Sequence, residues 1–85
     1  MIIYYSKKFE KEYKKLPIKI KILAEKKEKI FRKNPFAPSL RAHKLKGRLS
    51  EFWSFSIDLY YRIIFEFAKK ETVWFYSVGR HSIYD

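Results

Sequence analysis

The side chains best suited to chemistry lie in the second half of this 85-residue chain. Arg62 interrupts the apolar run Tyr60–Phe65, where an arginine either pairs with an acid at a strand edge or presents its planar guanidinium to two phosphate oxygens. His81 follows Arg80, and a histidine with a near-neutral pKa can donate or accept a proton, although terminal histidines are often only solvated. Tyr84, three residues later, is more readily explained by packing.

A second group of candidate residues forms the basic segment Arg41–Arg48. Lys44 and Lys46 alternate with Leu45, so both side chains would point the same way in an extended chain. The segment contains His43 and no acid, and its cations are suited to a phosphate backbone. We therefore predict phosphate binding by its four cations, which are Arg41, Lys44, Lys46 and Arg48.

The composition indicates one folded domain with a polyanionic partner. Twenty Lys and Arg against nine Asp and Glu give a net charge of +11, which favours binding to a polyanion. A hydrophobic content of 47% and an aromatic content of 20% exclude a disordered basic tail. Because 85 residues enclose one hydrophobic core, we expect a single domain spanning residues 1–85.

Several kinds of site have no motif in this sequence. There is no Cys, the two His are far apart, and neither a glycine-rich phosphate loop nor a Gly-x-Ser-x-Gly elbow is found. We therefore expect no metal, no cofactor and no small-molecule ligand. No segment resembles a signal peptide or reaches the roughly 18 apolar residues of a membrane span, so we expect a cytoplasmic protein without a membrane partner.

The first residues predict a strand followed by a helix. Met1–Tyr5 is apolar, β-branched and aromatic, and it ends at Ser6, a residue type preferred at helix N-caps. From Lys7 to Leu16 the apolar residues recur at spacings of four and three, which is typical of one helix face. Pro17 then ends this helix or begins the next.

A second helix is predicted to complete a helical hairpin. Its apolar pattern runs from Ile20 to Phe31, is interrupted at Lys27, and ends near Asn34-Pro35. The helix-forming composition after Ala24 supports this interpretation. A strand is the alternative at the start of the segment, because three residues alternate there at period two, namely Ile18, Ile20 and Ile22.

The sequence after the second helix predicts a structured loop over Asn34–Gly47 and then a sheet. The loop is rich in proline, and β-branched and aromatic residues dominate the chain after it. Short turns separate three runs, which we expect to form an antiparallel meander: Phe52–Ile57, Tyr60–Phe67 and Thr72–Val78. The predicted fold class is α+β, with an N-terminal strand, a helical hairpin packed on one sheet face, the three-stranded meander and a short C-terminal tail.

Six features in this order resemble the RelE/ParE superfamily of toxins from toxin–antitoxin modules, over essentially the whole chain. They are the strand with its helical hairpin, the Asn-Pro loop, His-Lys-Leu-Lys-Gly at 43–47, Phe-Trp-Ser at 52–54, Tyr-Arg-Ile-Ile-Phe at 61–65 and Val-Gly-Arg-His-x-x-Tyr at 78–84. Residues 48–54 are most similar to the YoeB branch, whereas the ending is similar to RelE or YafQ.

The resemblance implies a metal-independent, ribosome-dependent endoribonuclease that cleaves mRNA and inhibits translation. Such toxins drive the 2′-hydroxyl onto the adjacent phosphate. By resemblance, Arg62 would hold the scissile phosphate, and Tyr84 would stack on or orient the substrate or assist proton transfer. His81 would protonate the 5′-oxygen and His43 would take the 2′-hydroxyl proton. Arg80, with Lys44 and Lys46, would steady phosphates.

The same resemblance implies a partner and leaves alternatives open. An acidic cognate antitoxin would neutralise the toxin, in addition to the mRNA and ribosome that it binds. The superfamily also includes ParE toxins, which inhibit DNA gyrase without nuclease activity, and a non-catalytic RNA-binding module is a third hypothesis. Ser54–Ser56 occupies a stretch where many members carry a charged catalytic side chain, so one expected charge is missing.

Overall fold

The computed structural model describes residues 1–80, in which two helices pack on a five-stranded mixed sheet. The helices are α1 (Lys7–Lys14) and α2 (Ile18–Lys33), and the strands are β1 (Ile2–Tyr5), β2 (His43–Lys44), β3 (Trp53–Ser56), β4 (Tyr61–Phe67) and β5 (Thr72–Arg80). The strand order is β1-β5-β4-β3-β2. The predicted α+β class is therefore confirmed.

The sheet contains the predicted meander and two further pairings. β3, β4 and β5 pair antiparallel in sequence order, as expected. β1 adds a parallel pair to β5, from Ile2 opposite Thr72 to Tyr5 opposite Phe75. The two-residue strand β2 pairs with β3 inside the segment that was predicted as loop. The prediction of a loop over residues 34–47 is therefore incomplete, because part of that segment extends the sheet.

Both helices begin at the signals seen in the sequence. Ser6 is the N-cap of α1, and its Oγ accepts the backbone N–H of Phe9 at 2.9 Å. Pro17 precedes α2, whose first turn contains Ile18. The alternative strand over Ile18–Ile22 is therefore wrong, because these residues belong to the helix. Neither helix of the described chain is long and apolar enough to span a bilayer.

Four phenylalanines fasten α2 to one face of the sheet. Phe31 of α2 meets Phe55 of β3, Phe65 of β4 and Phe75 of β5 at ring-centroid distances of 5.1, 4.9 and 5.4 Å. All four rings are completely buried. Because each buried aromatic ring removes a large apolar area from water, this cluster is the main source of the fold's stability.

The helix α1 is fastened to β5 by polar contacts. Glu12 Oε1 accepts hydrogen bonds from Ser77 Oγ at 2.7 Å and from the Val78 backbone N–H at 3.1 Å. The Ser6 hydroxyl donates to the Tyr76 carbonyl at 2.7 Å. A β-bulge places Tyr76 between the two regular parts of the β4–β5 ladder. β5 therefore bonds to β1, β4 and α1 at once.

Candidate functional site

The two faces of the sheet differ in chemistry because strand side chains alternate. Phe55 and Ile57 at the end of β3, with Ile63 and Phe65 on β4, belong to the core beneath α2. The residues between them project from the opposite face. Ser54 lies opposite Ile64, and Ser56 lies opposite Arg62. We call this second surface the open face, because α2 covers only the other one. Within it Ser54 and Ile64 are buried, whereas Ser56 and Arg62 are partly exposed.

Arg62 is held by main-chain carbonyls rather than by an acid. Its Nη1 donates to the Asp58 carbonyl at 2.6 Å and to the Tyr61 carbonyl at 3.2 Å. The Asp58 carboxylate is itself engaged, since Oδ1 accepts the backbone N–H groups of Tyr60 and Tyr61 at 2.8 and 2.7 Å. None of the ion pairs within residues 1–80 involves Arg62. The guanidinium keeps its full charge and several donors for an anion.

The neighbour of Arg62 on the other strand leaves space beside it. Gly79 of β5 lies opposite Arg62 and has no side chain to occupy the open face. Ser56, on the third strand, carries only a hydroxymethyl group. Small residues on both sides therefore leave room for an anion such as a phosphate to approach the planar guanidinium.

His43 lies on the same open face, at the outer strand. It pairs with Ser54 across β2 and β3, and its ring is exposed. Nδ1 lies 3.3 Å from the Arg41 carbonyl oxygen. Because a carbonyl only accepts, this contact requires a proton on Nδ1, so in the neutral imidazole Nε2 is the nitrogen that can accept a proton.

The structure brings His43 and Arg62 to one surface without bringing them into contact. They lie two strands apart and are offset by two residues, which corresponds to about 12 Å between their Cα atoms. Ser54 and Ser56 occupy the strand between them. Ser54 is completely buried, whereas Ser56, beside Arg62, is partly exposed.

Exposed aromatic rings continue the open face beyond Ile64. Phe52 and Tyr76 pack with their centroids 5.0 Å apart, and Tyr4 of β1 stacks on Trp74 of β5 at 5.0 Å. Tyr4, Trp74 and Tyr76 are each about half exposed. Flat aromatic surfaces of this kind can stack on nucleic-acid bases.

The basic segment 41–48 divides between different surfaces. Its four cations, Arg41, Lys44, Lys46 and Arg48, are all exposed. Lys44 pairs with Trp53, whose ring packs towards the core, so this lysine projects to the side opposite His43. Arg41 instead turns towards Arg62, and both line a cavity of about 290 Å³.

Lys27 of α2 lines the same cavity and was not among the predicted site residues. Its signal was visible in the sequence, because it is the one position that interrupts the apolar pattern from Ile20 to Phe31. A charged residue on the sheet-facing stripe of a helix must find a polar partner there. Lys27 Nζ donates to the Ser39 carbonyl at 3.2 Å.

Arg80 and the C-terminal candidates complete the set of predicted residues. The Arg80 guanidinium lies over the rings of Tyr60 and Tyr61, at 5.3 and 5.8 Å from their centroids. Tyr61 packs against the core side, so Arg80 does not share the open face with Arg62. His81 and Tyr84 lie outside the described residues.

A larger groove between the helices contains none of the predicted site residues. It measures about 790 Å³ and is lined by both helices and Tyr5. The Tyr5 hydroxyl donates to Glu28 Oε2 at 2.6 Å. Burial, together with this hydrogen bond to Glu28, raises the pKa of Tyr5, and burial likewise raises the pKa of Tyr13. Both phenols are therefore neutral donors here rather than bases.

The part of the chain that the structure describes contains no group of three or more His, Asp or Glu side chains placed to hold a metal ion. The chemistry available on the open face therefore comes from an imidazole, a guanidinium, hydroxyls and aromatic rings.

Solved structures of several bacterial toxins share this arrangement of strands and helices. YafQ from E. coli strain BL21(DE3) has a TM-score of 0.80 at 17% identity, over 96% of this chain and 94% of its own. The YoeB/ParE toxin from Agrobacterium tumefaciens also has a TM-score of 0.80, at 15% identity, over 95% and 99%. The chain has the fold of the RelE/ParE-like toxins.

A further structure with this toxin fold was solved as an assembly. The toxin–antitoxin complex RelBE2 from Mycobacterium tuberculosis contains a chain that matches with a TM-score of 0.77 at 16% identity, over 94% of this chain and 96% of that chain. No family model matches the sequence, and no curated protein matches it. The RelE/ParE-like fold is thus evident from the structure at a level of identity where sequence comparison does not find it.

Proposed function

We propose that this protein is the toxin of a type II toxin–antitoxin module and an endoribonuclease that cleaves mRNA on the ribosome. The observation that carries the proposal is the joint placement of His43 and Arg62 on the open face of a toxin-like sheet. The first offers a ring nitrogen, and the second offers a guanidinium that is held by main-chain carbonyls and forms no ion pair within residues 1–80. These are the two groups that an attack of the 2′-hydroxyl on a phosphodiester requires.

In the proposed reaction no metal takes part. Nε2 of His43 removes the 2′-hydroxyl proton, and the 2′-oxygen forms a bond to phosphorus. The guanidinium of Arg62 binds the non-bridging oxygens, whose negative charge increases in the transition state. The bond from phosphorus to the 5′-oxygen then breaks, and His81 supplies the proton to that oxygen. The products are a 2′,3′-cyclic phosphate and a 5′-hydroxyl end.

The surface surrounding this site supports a nucleic-acid substrate. The net charge of +11 attracts the phosphate backbones of mRNA and ribosomal RNA. The Phe52–Tyr76 and Tyr4–Trp74 pairs offer rings on which bases can stack. We assign Tyr84 to substrate orientation, and the exposed cations Lys44, Lys46 and Arg48 to phosphate binding.

The proposed neutralising partner is an acidic antitoxin. RelBE2 was crystallised as a toxin–antitoxin complex, and DinJ–YafQ is a second complex of that kind. The physical reason for such a partner here is the combination of uncompensated positive charge with half-exposed aromatic rings on the open face. An acidic amphipathic segment would neutralise the first and cover the second.

Mapping of RNA 5′ ends after induced expression tests the activity. We expect new 5′-hydroxyl ends within translated mRNAs, and fewer of them by about 10² when His43 is replaced by Gln, which lacks a titrating nitrogen. Lys70→Gln, at an exposed turn remote from the open face, is the control. Double-strand DNA breaks without new RNA ends would contradict the nuclease hypothesis and support a gyrase inhibitor. Growth arrest without new RNA ends or DNA breaks would support a non-catalytic RNA-binding module.

A further inference from the structure

The cavity beside Arg62 lies at an edge of the sheet. β2 pairs with β3 only at Trp53 and Ser54, so within residues 1–80 this edge of β3 has no strand partner from Phe55 onward. The cavity of about 290 Å³ opens at this edge, between α2, the turn at 38–40 and the β3–β4 hairpin. Ser56 and Arg62 contribute to it from the open face, and Lys27 contributes from α2. It therefore continues the open face around the sheet edge.

The cavity concentrates positive charge. Within residues 1–80 it is lined by three cations, Lys27, Arg41 and Arg62, and by one acid, Asp58. The Asp58 carboxylate is bound by the two backbone N–H groups of its own turn. None of the ion pairs of residues 1–80 includes one of these three cations. A concave surface with an excess of positive charge attracts anions.

Lys27 occupies a position where the helix pattern calls for an apolar residue. Ala24 and Phe31, three positions before and four positions after it on α2, are both buried. One hydrogen bond to the Ser39 carbonyl occupies Nζ. An ammonium has three donors, so two remain to bind an anion in the cavity.

Arg41 has an unusual backbone conformation at the opposite wall. Its φ of 51° lies in the left-handed region, which costs free energy for a residue other than Gly, Asn or Asp. Its N–H donates to the Pro38 carbonyl at 3.2 Å and closes the turn. This conformation turns the chain so that the Arg41 side chain lines the cavity.

We propose that the cavity is a second phosphate subsite, in which Lys27 and Arg41 bind the RNA backbone phosphate next to the one held by Arg62. The proposal rests on the proposed function, because Arg62 connects the cavity to the reacting phosphodiester. A cavity of about 290 Å³ is large enough for a phosphate group with its ester oxygens. The subsite would fix the position of the strand, so it should affect RNA binding rather than the chemical step.

The test compares matched charge-removing variants on RNA that cannot be cleaved. Lys27→Gln keeps a hydrogen-bond donor and removes the charge, and Arg41→Asn tolerates the left-handed backbone. Lys26→Gln and Lys69→Gln are the controls, because both residues are exposed and neither lines the cavity. A single-stranded 2′-O-methyl oligonucleotide is the ligand, since it has phosphates but no 2′-hydroxyl to attack.

We expect Lys27→Gln and Arg41→Asn each to weaken oligonucleotide binding about tenfold, the usual scale for one charge-assisted contact. Each should also reduce the slope of log affinity against log salt by about 0.7. The controls should change affinity less than threefold, and Lys27→Arg should restore it. In cleavage assays KM should rise while kcat stays unchanged. Thermal unfolding of each variant shows that the fold is intact.

Three results would overturn the subsite. One is equal RNA affinity for Lys27→Gln and Lys26→Gln. Another is binding of inorganic phosphate in the cavity, seen as NMR shifts of the Ser39 and Leu59 amides, with oligonucleotide affinity unaffected by both cavity variants. The third is a loss of antitoxin binding with unchanged RNA affinity in the cavity variants, which would make the cavity part of the antitoxin-binding surface. If wild-type protein cleaves no RNA but the cavity variants still lose affinity, the nuclease proposal fails and the subsite stands.

Discussion

The same strands form both faces of this sheet, but one face packs in the apolar core and the other carries the polar groups of the candidate site. Towards α2, Phe55 and Phe65 meet Phe31 in an apolar cluster. On the same strands, Ser56, one residue from Phe55, and Arg62, three residues from Phe65, face the open side. Because side chains alternate along a strand, the packing of one face fixes the backbone from which the other face presents its polar groups. The difference teaches that stability and chemistry can be changed separately in this protein.

The largest effect should come from the buried face. Replacing Phe31 by Ala removes the ring that contacts three strands, so the free energy of unfolding should fall by about 3 to 5 kcal/mol. Urea denaturation followed by tryptophan fluorescence measures this change. Phe36→Ala is the matched control, because Phe36 is more than half exposed, and it should cost about 1 kcal/mol. Equal losses from both variants would contradict the central role of the Phe31 cluster.

A smaller but functionally decisive effect should come from the open face. Arg62→Ala should lower the rate of RNA cleavage by about 10² or more, the scale for losing one transition-state donor. Its unfolding free energy should change by less than about 1 kcal/mol, because no core contact is lost. Arg62→Lys should recover only part of the rate, since an ammonium lacks the planar fork. Cleavage by Arg62→Ala at the parent's rate would refute the site.

The smallest effect should appear outside both faces, in the groove between the helices. Tyr5 donates to Glu28, and its pKa is raised by burial and by that hydrogen bond. The Tyr5 hydroxyl therefore contributes fully to stability below the ordinary tyrosine pKa of about 10. This contribution is lost as the pH rises through the higher pKa that Tyr5 has in the folded protein. Tyr5→Phe should cost about 1 kcal/mol at neutral pH.

The difference in the free energy of unfolding between the parent and Tyr5→Phe should then become smaller above about pH 10. Chemical denaturation at neutral and alkaline pH measures it. Tyr4→Phe keeps the ring that stacks on Trp74 and serves as the control. A constant difference across this pH range would show that the hydroxyl of Tyr5 is not the source of the effect.

Local patterns were sufficient to predict most of the elements. The N-cap at Ser6, the helical spacing of Phe9 and the β-branched and aromatic residues of β4 each depend on neighbours in the sequence, and all lie where expected. β2 could not be predicted, because His43 and Lys44 have little strand propensity and become a strand only by pairing with β3. The parallel pairing of β1 with β5 was equally invisible, since it depends on the tertiary arrangement.

The candidate site shows the same limit. The types of residue at positions 43 and 62 suggested their chemistry, and the register places both on one face. His43 and Lys44 belong to the same basic segment, but Lys44 lies opposite Trp53 and projects to the other side of the sheet. Lys27 interrupts the apolar pattern of α2, but the cavity that it lines is not visible until the helix is docked on the sheet. Side-chain direction in short or irregular segments is decided by tertiary contacts, which no local pattern records.

The contacts of β5 affect how this protein folds during its synthesis. Ile2 pairs with Thr72, 70 positions later, and the N-cap residue of α1 donates to a carbonyl of the same late strand. A growing chain therefore cannot complete its sheet until β5 has been synthesised, and contacts across such long separations form slowly. The first 71 residues emerge from the ribosome with β1 unpaired and the phenylalanine cluster incomplete. A partner that engages the chain during this interval would meet exposed strands rather than a finished surface.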